Sequence, residues 1–150
     1  MLIWVDADAC PKAVKEVLFR ASERRKLHIC LVANRSMYIP RSSYVSLQVV
    51  PKGFDVADEK IIEQVEKNDL IITADIPFAA EAIERGAWIL TPRGEQYTED
   101  DIRERLSMRN FFEEMRNNGE MTGGPPPFGK ADKQRFANGL DRILAQLKNA

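Results

Sequence analysis

Short, unbroken apolar runs recur through the first two thirds of the chain, and between them apolar residues fall three or four apart. Residues 2–5 (LIWV) are the first run. No position in it is polar, so it reads as a strand covered on both faces, as strands of parallel sheets are. The period then changes. Val14, Val17, Leu18 and Ala21 share one helical stripe, while Lys12, Lys15, Glu16, Glu23 and Arg24 supply a wet side. A helix is therefore expected over 11–25, with Pro11 in the first turn, where a missing N–H costs nothing. His28–Ala33 (HICLVA) is a second buried run, and 45–50 (VSLQVV) alternates, as a strand nearer a sheet edge does. A helix over 55–67 turns Ile61, Ile62 and Val65 inward. Residues 69–75 (DLIITAD) form a fourth strand, Ile76-Pro77 starts a helix that stops at Gly86, and 87–90 (AWIL) form a fifth strand.

Strands alternating with helices predict an α/β fold: a parallel sheet of about five strands flanked by helices, joined by right-handed crossovers. This core spans about residues 1–95 of a single domain, 1–150. The remainder, about 96–150, is a helical extension. Thr98-Glu99-Asp100-Asp101 caps a helix carrying Ile102, Leu106, Phe111, Phe112 and Met115, which Asn117-Asn118-Gly119 ends. Residues 121–129 (MTGGPPPFG) are Pro/Gly-rich and too stiff for a floppy linker. A last helix over 131–147 sets Phe136, Leu140, Ile143, Leu144 and Leu147 on one face. That face needs a cover, either the main body or a second subunit in a homo-oligomer.

Composition narrows the class only a little. The 150 residues are 44% hydrophobic and 30% charged, ordinary values for a globular chain. A net charge of −1 offers no global positive field for nucleic acid, which argues against a high-affinity DNA binder but not against a nuclease with an acidic site. No run approaches the roughly 20 apolar residues of a membrane span. The chain shows no signal-peptide pattern, and Cys10 and Cys30 lack metal-ligand spacing, so a reducing, cytoplasmic setting is expected.

The acids change the picture more. Asp6 and Asp75 each end an apolar strand at the same edge of the expected sheet, the edge where ligands bind in open α/β folds. If the first and fourth strands are neighbours, these carboxylates stand close together. Asp58 lies in the first turn of the helix that arrives at that edge, and Asp8 and Asp55 are close reserves. Crowded carboxylates raise one another's pKa unless a cation sits among them. Oxygen ligands without His or Cys suit Mg²⁺ or Mn²⁺. Such an ion supports phosphate-ester chemistry by activating water and neutralising phosphate oxygens. Each acid also has a plainer reading. Asp55 is a good helix N-cap, Asp58 complements a helix dipole, and acids after strands are common. Asn34, Arg35 and Arg93 follow other strands at the same edge and are candidates for substrate phosphates. Cys10 lies near a helix start, but the sole histidine, His28, begins a strand at the opposite end, so no base is placed for a nucleophilic thiol. Gly123-Gly124-Pro125-Pro126-Pro127 lacks the Gly-Lys-Ser/Thr signature of a phosphate loop and suggests a rigid arm, a lid or a connector; Lys130 and Lys133 follow it.

Taken together, WVDADACP, GFDVADEKI, DLIITADIPFA and TGGPPPFGKADKQRF resemble the YaiI/YqxD-like family of uncharacterised bacterial proteins across essentially the whole chain. That family in turn resembles PIN-like domains, typically metal-dependent ribonucleases or related nucleases with acids at the carboxyl edge of a parallel sheet. The resemblance implies Asp6 as the first acid, Asp58 in its Asp-x-x-Ile setting as the helix acid, and Asp75 as the acid after the fourth strand. PIN sites often carry one more acid soon after the third. Here Ile76, Pro77 and Phe78 follow and the next acid is Glu81, which leaves Asp8 or Asp55 as a substitute.

The leading expectation is a Mg²⁺- or Mn²⁺-dependent nuclease acting on RNA. Two others stand beside it. Val5-Asp6-Ala7-Asp8 also resembles the Asp-x-Asp opening of haloacid-dehalogenase-like phosphatases, with Asp6 as nucleophile, although no later Gly-Asp-x-x-x-Asp pair appears. A metal- and RNA-binding module without turnover is the third.

Overall fold

A computed structural model describes residues 1–117 and 126–148. Its centre is a six-stranded sheet: β1 (Leu2–Asp6), β2 (His28–Ala33), β3 (Val45–Val49), β4 (Leu70–Ile72), β5 (Trp88–Leu90) and β6 (Gln96–Tyr97). The spatial order is β3-β2-β1-β4-β5-β6, and every pair is parallel except the last. Five helices complete the chain: α1 (Lys12–Arg25), α2 (Val56–Gln64), α3 (Ile76–Glu84), α4 (Ile102–Asn117) and α5 (Lys130–Lys148). The α/β expectation holds, and β1 and β4 are neighbours, with Ile3, Trp4 and Val5 beside Leu70, Ile71 and Ile72.

The apolar runs lack alternation because both faces of the sheet are covered. Alternate side chains enter opposite cores. Ile3, Val5, Leu31 and Ile72 face Val14 and Leu18 of α1 and Phe136 and Leu140 of α5. Trp4, Cys30, Val32, Ile71 and Ile89 face Ile61 of α2, Phe78 of α3 and Ile102 of α4. Full burial of a side chain such as Leu140 contributes about 1.5–3 kcal/mol. The edge strand β3 has only one buried residue, Val45, as its alternating sequence suggests.

The last helix finds its cover on the main body: Phe136 and Ile143 are wholly buried against the core that α1 also lines. It reaches the sheet through two glycines. Gly94, at φ +89°, lies so near the α5 backbone that a Cβ would collide with the Arg135 carbonyl, and a Cβ on Gly139 would sit 2.9 Å from the Gly94 oxygen.

Several boundaries differ from the sequence expectation. β6 was not anticipated; two residues are too few for a period. A turn closed by the Thr91 N–H to Glu95 carbonyl bond (2.8 Å) folds it back along β5. α2 ends at Gln64, where Val65 turns extended, rather than near Lys67. β4 is only Leu70–Ile72; the flanking Asp69 and Thr73 keep backbone bonds to β5 (Trp88 N–H to the Asp69 carbonyl at 2.8 Å, Thr73 N–H to the Leu90 carbonyl at 3.2 Å), while their side chains serve the neighbouring segments. Of the α4 stripe, Ile102 is buried, whereas Phe111 and Phe112 are 52% and 40% exposed. Most of the Pro/Gly-rich arm and Asn118-Gly119 lie outside the described residues. Among the described residues, no helix is long and apolar enough to cross a membrane.

Candidate functional site

The strand order reverses at the β1–β4 pair. From β1 the chain moves to β2 and β3 on one side; α2 then carries it back across to β4 on the other. The two crossovers leave a crevice at the carboxyl ends of β1 and β4, the switch point at which such sheets bind ligands. Asp6, Asp8, Asn34, Asp55, Asp58 and Asp75 all line a cleft of about 160 Å³ there.

Local structure explains how each acid arrives. Asp6 is the last residue of β1 and is partly buried. A single 3-10 turn, Ala7–Ala9, then swings Asp8 to the surface, where its Oδ2 accepts the Asn34 N–H at 2.7 Å. Asp75 is the N-cap of α3. Its Oδ1 accepts the Phe78 N–H at 3.1 Å, and Pro77 occupies the first turn. The Asp75 N–H in turn donates to Thr73 Oγ1 at 3.1 Å. Asp58 stands in the first turn of α2. Asp55 departs from the expected cap: it holds a left-handed φ of 61°, and its side chain makes no capping bond. It turns instead toward the cluster. One carboxylate oxygen from each of Asp55, Asp58 and Asp75 lies within 4.8 Å of the others.

Crowding and burial show in the protonation of the group. Burial pushes the Asp6 carboxyl up to about 6; the charges of Asp75 and Asp8 add to this, and a hydrogen bond from Thr73 opposes it. Asp58 is pushed up to about 7, first by burial, then by Asp6, Asp75 and Asp55, and by a hydrogen bond with Asp75. Two carboxylates about 4 Å apart repel by about 4 kcal/mol at an effective dielectric near 20. A divalent cation reverses the sign of that interaction. The donor set fits one: it is all oxygen, with no His or Cys along the cleft, which suits Mg²⁺ or Mn²⁺.

The other sequence candidates separate. Asn34 is at the cleft, through its backbone N–H on Asp8. Arg35 is exposed and outside the cleft lining. Arg93 is turned toward the extension: its Nη1 meets Asp132 Oδ2 at 3.2 Å, and its Nη2 donates to the Pro126 carbonyl. Asp132 is buried, and the Gly129 N–H together with Arg93 and Arg135 holds its carboxyl below the usual range. Cys10 is buried and its thiol is pushed up to about 12, mainly by burial, which keeps it protonated. His28 lies exposed at the amino end of β2 with its ring 5.1 Å from that of Tyr44.

Thr73 is the residue that the sequence reasoning passed over. Its Oγ1 accepts the Asp75 N–H at 3.1 Å, and its hydroxyl works against burial in setting the Asp6 carboxyl, so it bears on both acids. A hydroxyl closing an apolar strand two residues before an acid is the signal that was available.

Fold and cleft thus define an α/β protein with an acid-lined site at its topological switch point. A family model described as "Uncharacterized BCR, YaiI/YqxD family" matches residues 4–146. The chain is similar to a UPF0178 protein of Hydrogenovibrio crunogenus, 56% identical over 146 residues and 97% of each chain. It is similar to the same degree to a UPF0178 protein of Yersinia pestis (strain Pestoides F), 56% over 149 residues, covering 99% of this chain and 98% of the relative. The chain therefore belongs to the YaiI/YqxD family. No solved structure matches it significantly.

Proposed function

We propose that this protein is a divalent-metal-dependent nuclease of PIN-like architecture that hydrolyses phosphodiester bonds, with RNA as its substrate. The observation that carries the reading is the convergence of Asp6, Asp58 and Asp75, from three separate elements, with Asp55 beside them. Asp55, Asp58 and Asp75 would hold Mg²⁺ or Mn²⁺, with Asp6 completing the set from the sheet side. A bound divalent ion supplies Lewis acidity toward phosphate oxygen and lowers the pKa of water. Asp55 stands in for the fourth acid of PIN sites, since its side chain is released from capping. Thr73 acts as a positioning residue for Asp6 and Asp75. Asn34 bears on the site through Asp8.

The test is cleavage of end-labelled RNA and DNA with Mn²⁺, Mg²⁺ or EDTA, wild type beside Asp75→Asn. Asparagine keeps the oxygen that caps α3, so the fold is retained. Metal-dependent cleavage by wild type that falls at least 100-fold in the variant supports the reading. Undiminished cleavage by the variant contradicts it. Release of phosphate from small monoesters, without RNA cleavage, would give the site to a phosphatase instead.

A further inference from the structure

A second cavity is lined by residues next in sequence to those of the acidic cleft. It holds about 330 Å³ and is lined by Pro11, Ala74, Thr91, Arg93, Tyr97 and Phe128. Ala74, which lines it, directly precedes Asp75, which lines the cleft. Ala9, next to Asp8, also faces this cavity. Its size lies at the lower end of the range for small-molecule sites, room for a single ring system rather than a polymer segment.

The charges around it are already matched. Arg93 is paired with Asp132 at 3.2 Å, and Glu95, also at the cavity, is paired with Arg105 at 3.0 Å. A phosphate there would find no unpaired cation among these, so the chemistry favours a neutral ligand. The walls favour a flat one. The half-buried Phe128 ring flanks the space, and the Arg93 guanidinium stands 5.8 Å from its centroid. Arg93 still carries N–H donors, and the Thr91 hydroxyl is at hand; both can read a polar ring edge. The Arg93–Asp132 pair and the Gly129–Asp132 bond at 2.9 Å hold Phe128 in place from the start of α5.

We propose that this cavity is a nucleobase subsite: the protein takes single-stranded nucleic acid with one base turned out of the stack onto Phe128 while the adjoining phosphate lies at the acids. The substrate class rests on the nuclease reading above, whereas the base-binding surface does not depend on cleavage. The described end of the Pro/Gly-rich motif, Pro126 to Gly129, thereby acquires a role, as the arm that presents an aromatic wall. A duplex cannot use the subsite without unpairing, so single strands bind more tightly.

The experiment is binding in EDTA, where no cleavage occurs. NMR detects adenosine and ribose 5-phosphate separately, and fluorescence anisotropy compares a labelled single-stranded oligoribonucleotide with its duplex. Adenosine perturbs the Phe128 ring signals and ribose 5-phosphate does not. Phe128→Leu, which keeps apolar packing but removes the ring face, weakens single-strand binding about 10-fold and leaves the duplex unchanged, while Phe128→Trp retains binding. Base binding without cleavage in a parallel Mn²⁺ assay sustains the subsite and sinks the nuclease reading. Cleavage by wild type that is undiminished in Phe128→Leu, with no adenosine binding, overturns the subsite and leaves the nuclease reading standing. Neither binding nor cleavage overturns both.

Discussion

The two ends of β4 each hold a buried or half-buried aspartate, and they are built in opposite ways. At the amino end, Asp69 is 5% exposed and fully engaged. Its carboxylate accepts the Leu2 N–H at 2.9 Å, the Trp4 Nε1–H at 3.2 Å and the Glu66 N–H at 2.9 Å. Among the described residues no other carboxylate bonds to it, and it ties the start of β1 to the loop before β4. At the carboxyl end, three residues past the strand, Asp75 stands with Asp6, Asp55 and Asp58, four carboxylates with few donors and much mutual repulsion. A charge surrounded by N–H groups stabilises a fold; charges set against one another cost stability and persist where something else compensates. The contrast separates a structural acid from a site.

The largest expected effect lies at the structural end. Asp69→Ala leaves three N–H groups without their acceptor, two of them in or beside the core, and should destabilise the protein by about 3–5 kcal/mol. Urea unfolding measures it; a loss below about 1 kcal/mol would erase the distinction. At the other end the sign reverses. Asp6→Asn removes a carboxyl whose pKa stands near 6 instead of 3.8, and should stabilise the metal-free protein at pH 8 by about 1–2 kcal/mol after allowance for its partial exposure. Destabilisation of that size would mean that Asp6 is held by favourable contacts, as Asp69 is.

The pH dependence follows from the same inequality. Asp6 and Asp58 bind protons more tightly folded than unfolded, so their contribution is fully present below about pH 4 and is lost as pH rises through about 6 and 7. Metal-free wild type should therefore melt at progressively lower temperature from pH 5 to pH 8. Asp58→Asn should flatten that slope, and saturating Mg²⁺ should flatten it in wild type. The smallest effect is expected at Asp8, exposed and bonded to one backbone N–H: Asp8→Asn should change stability by less than about 0.5 kcal/mol.

The fold was largely legible because its signals were long. Six to nine residues of consistent period announced β2 and α3, and unbroken apolar character in β1 correctly implied a sheet covered on both faces. β6 was not legible, since two residues carry no period and the turn that forms it depends on Gly94 meeting α5. At the site, Asp6 and Asp75 were legible from strand ends. The part played by Asp55 was not: its residue type and position advertise a cap, and only its left-handed backbone shows the side chain released from one. Arg93 likewise advertised a phosphate ligand, while its partners, Asp132 and Pro126, lie more than thirty residues away in sequence.

The most direct measurement of the central claim is calorimetric titration of the metal-free protein with Mn²⁺ at pH 7, beside Asp58→Asn and Asp69→Asn. Wild type should bind saturably with proton release, because Asp58 is partly protonated there. Binding should weaken at least 10-fold in Asp58→Asn and stay unchanged in whatever fraction of Asp69→Asn remains folded. Absence of Mn²⁺ binding by folded wild type, or equal binding by Asp58→Asn, would contradict it.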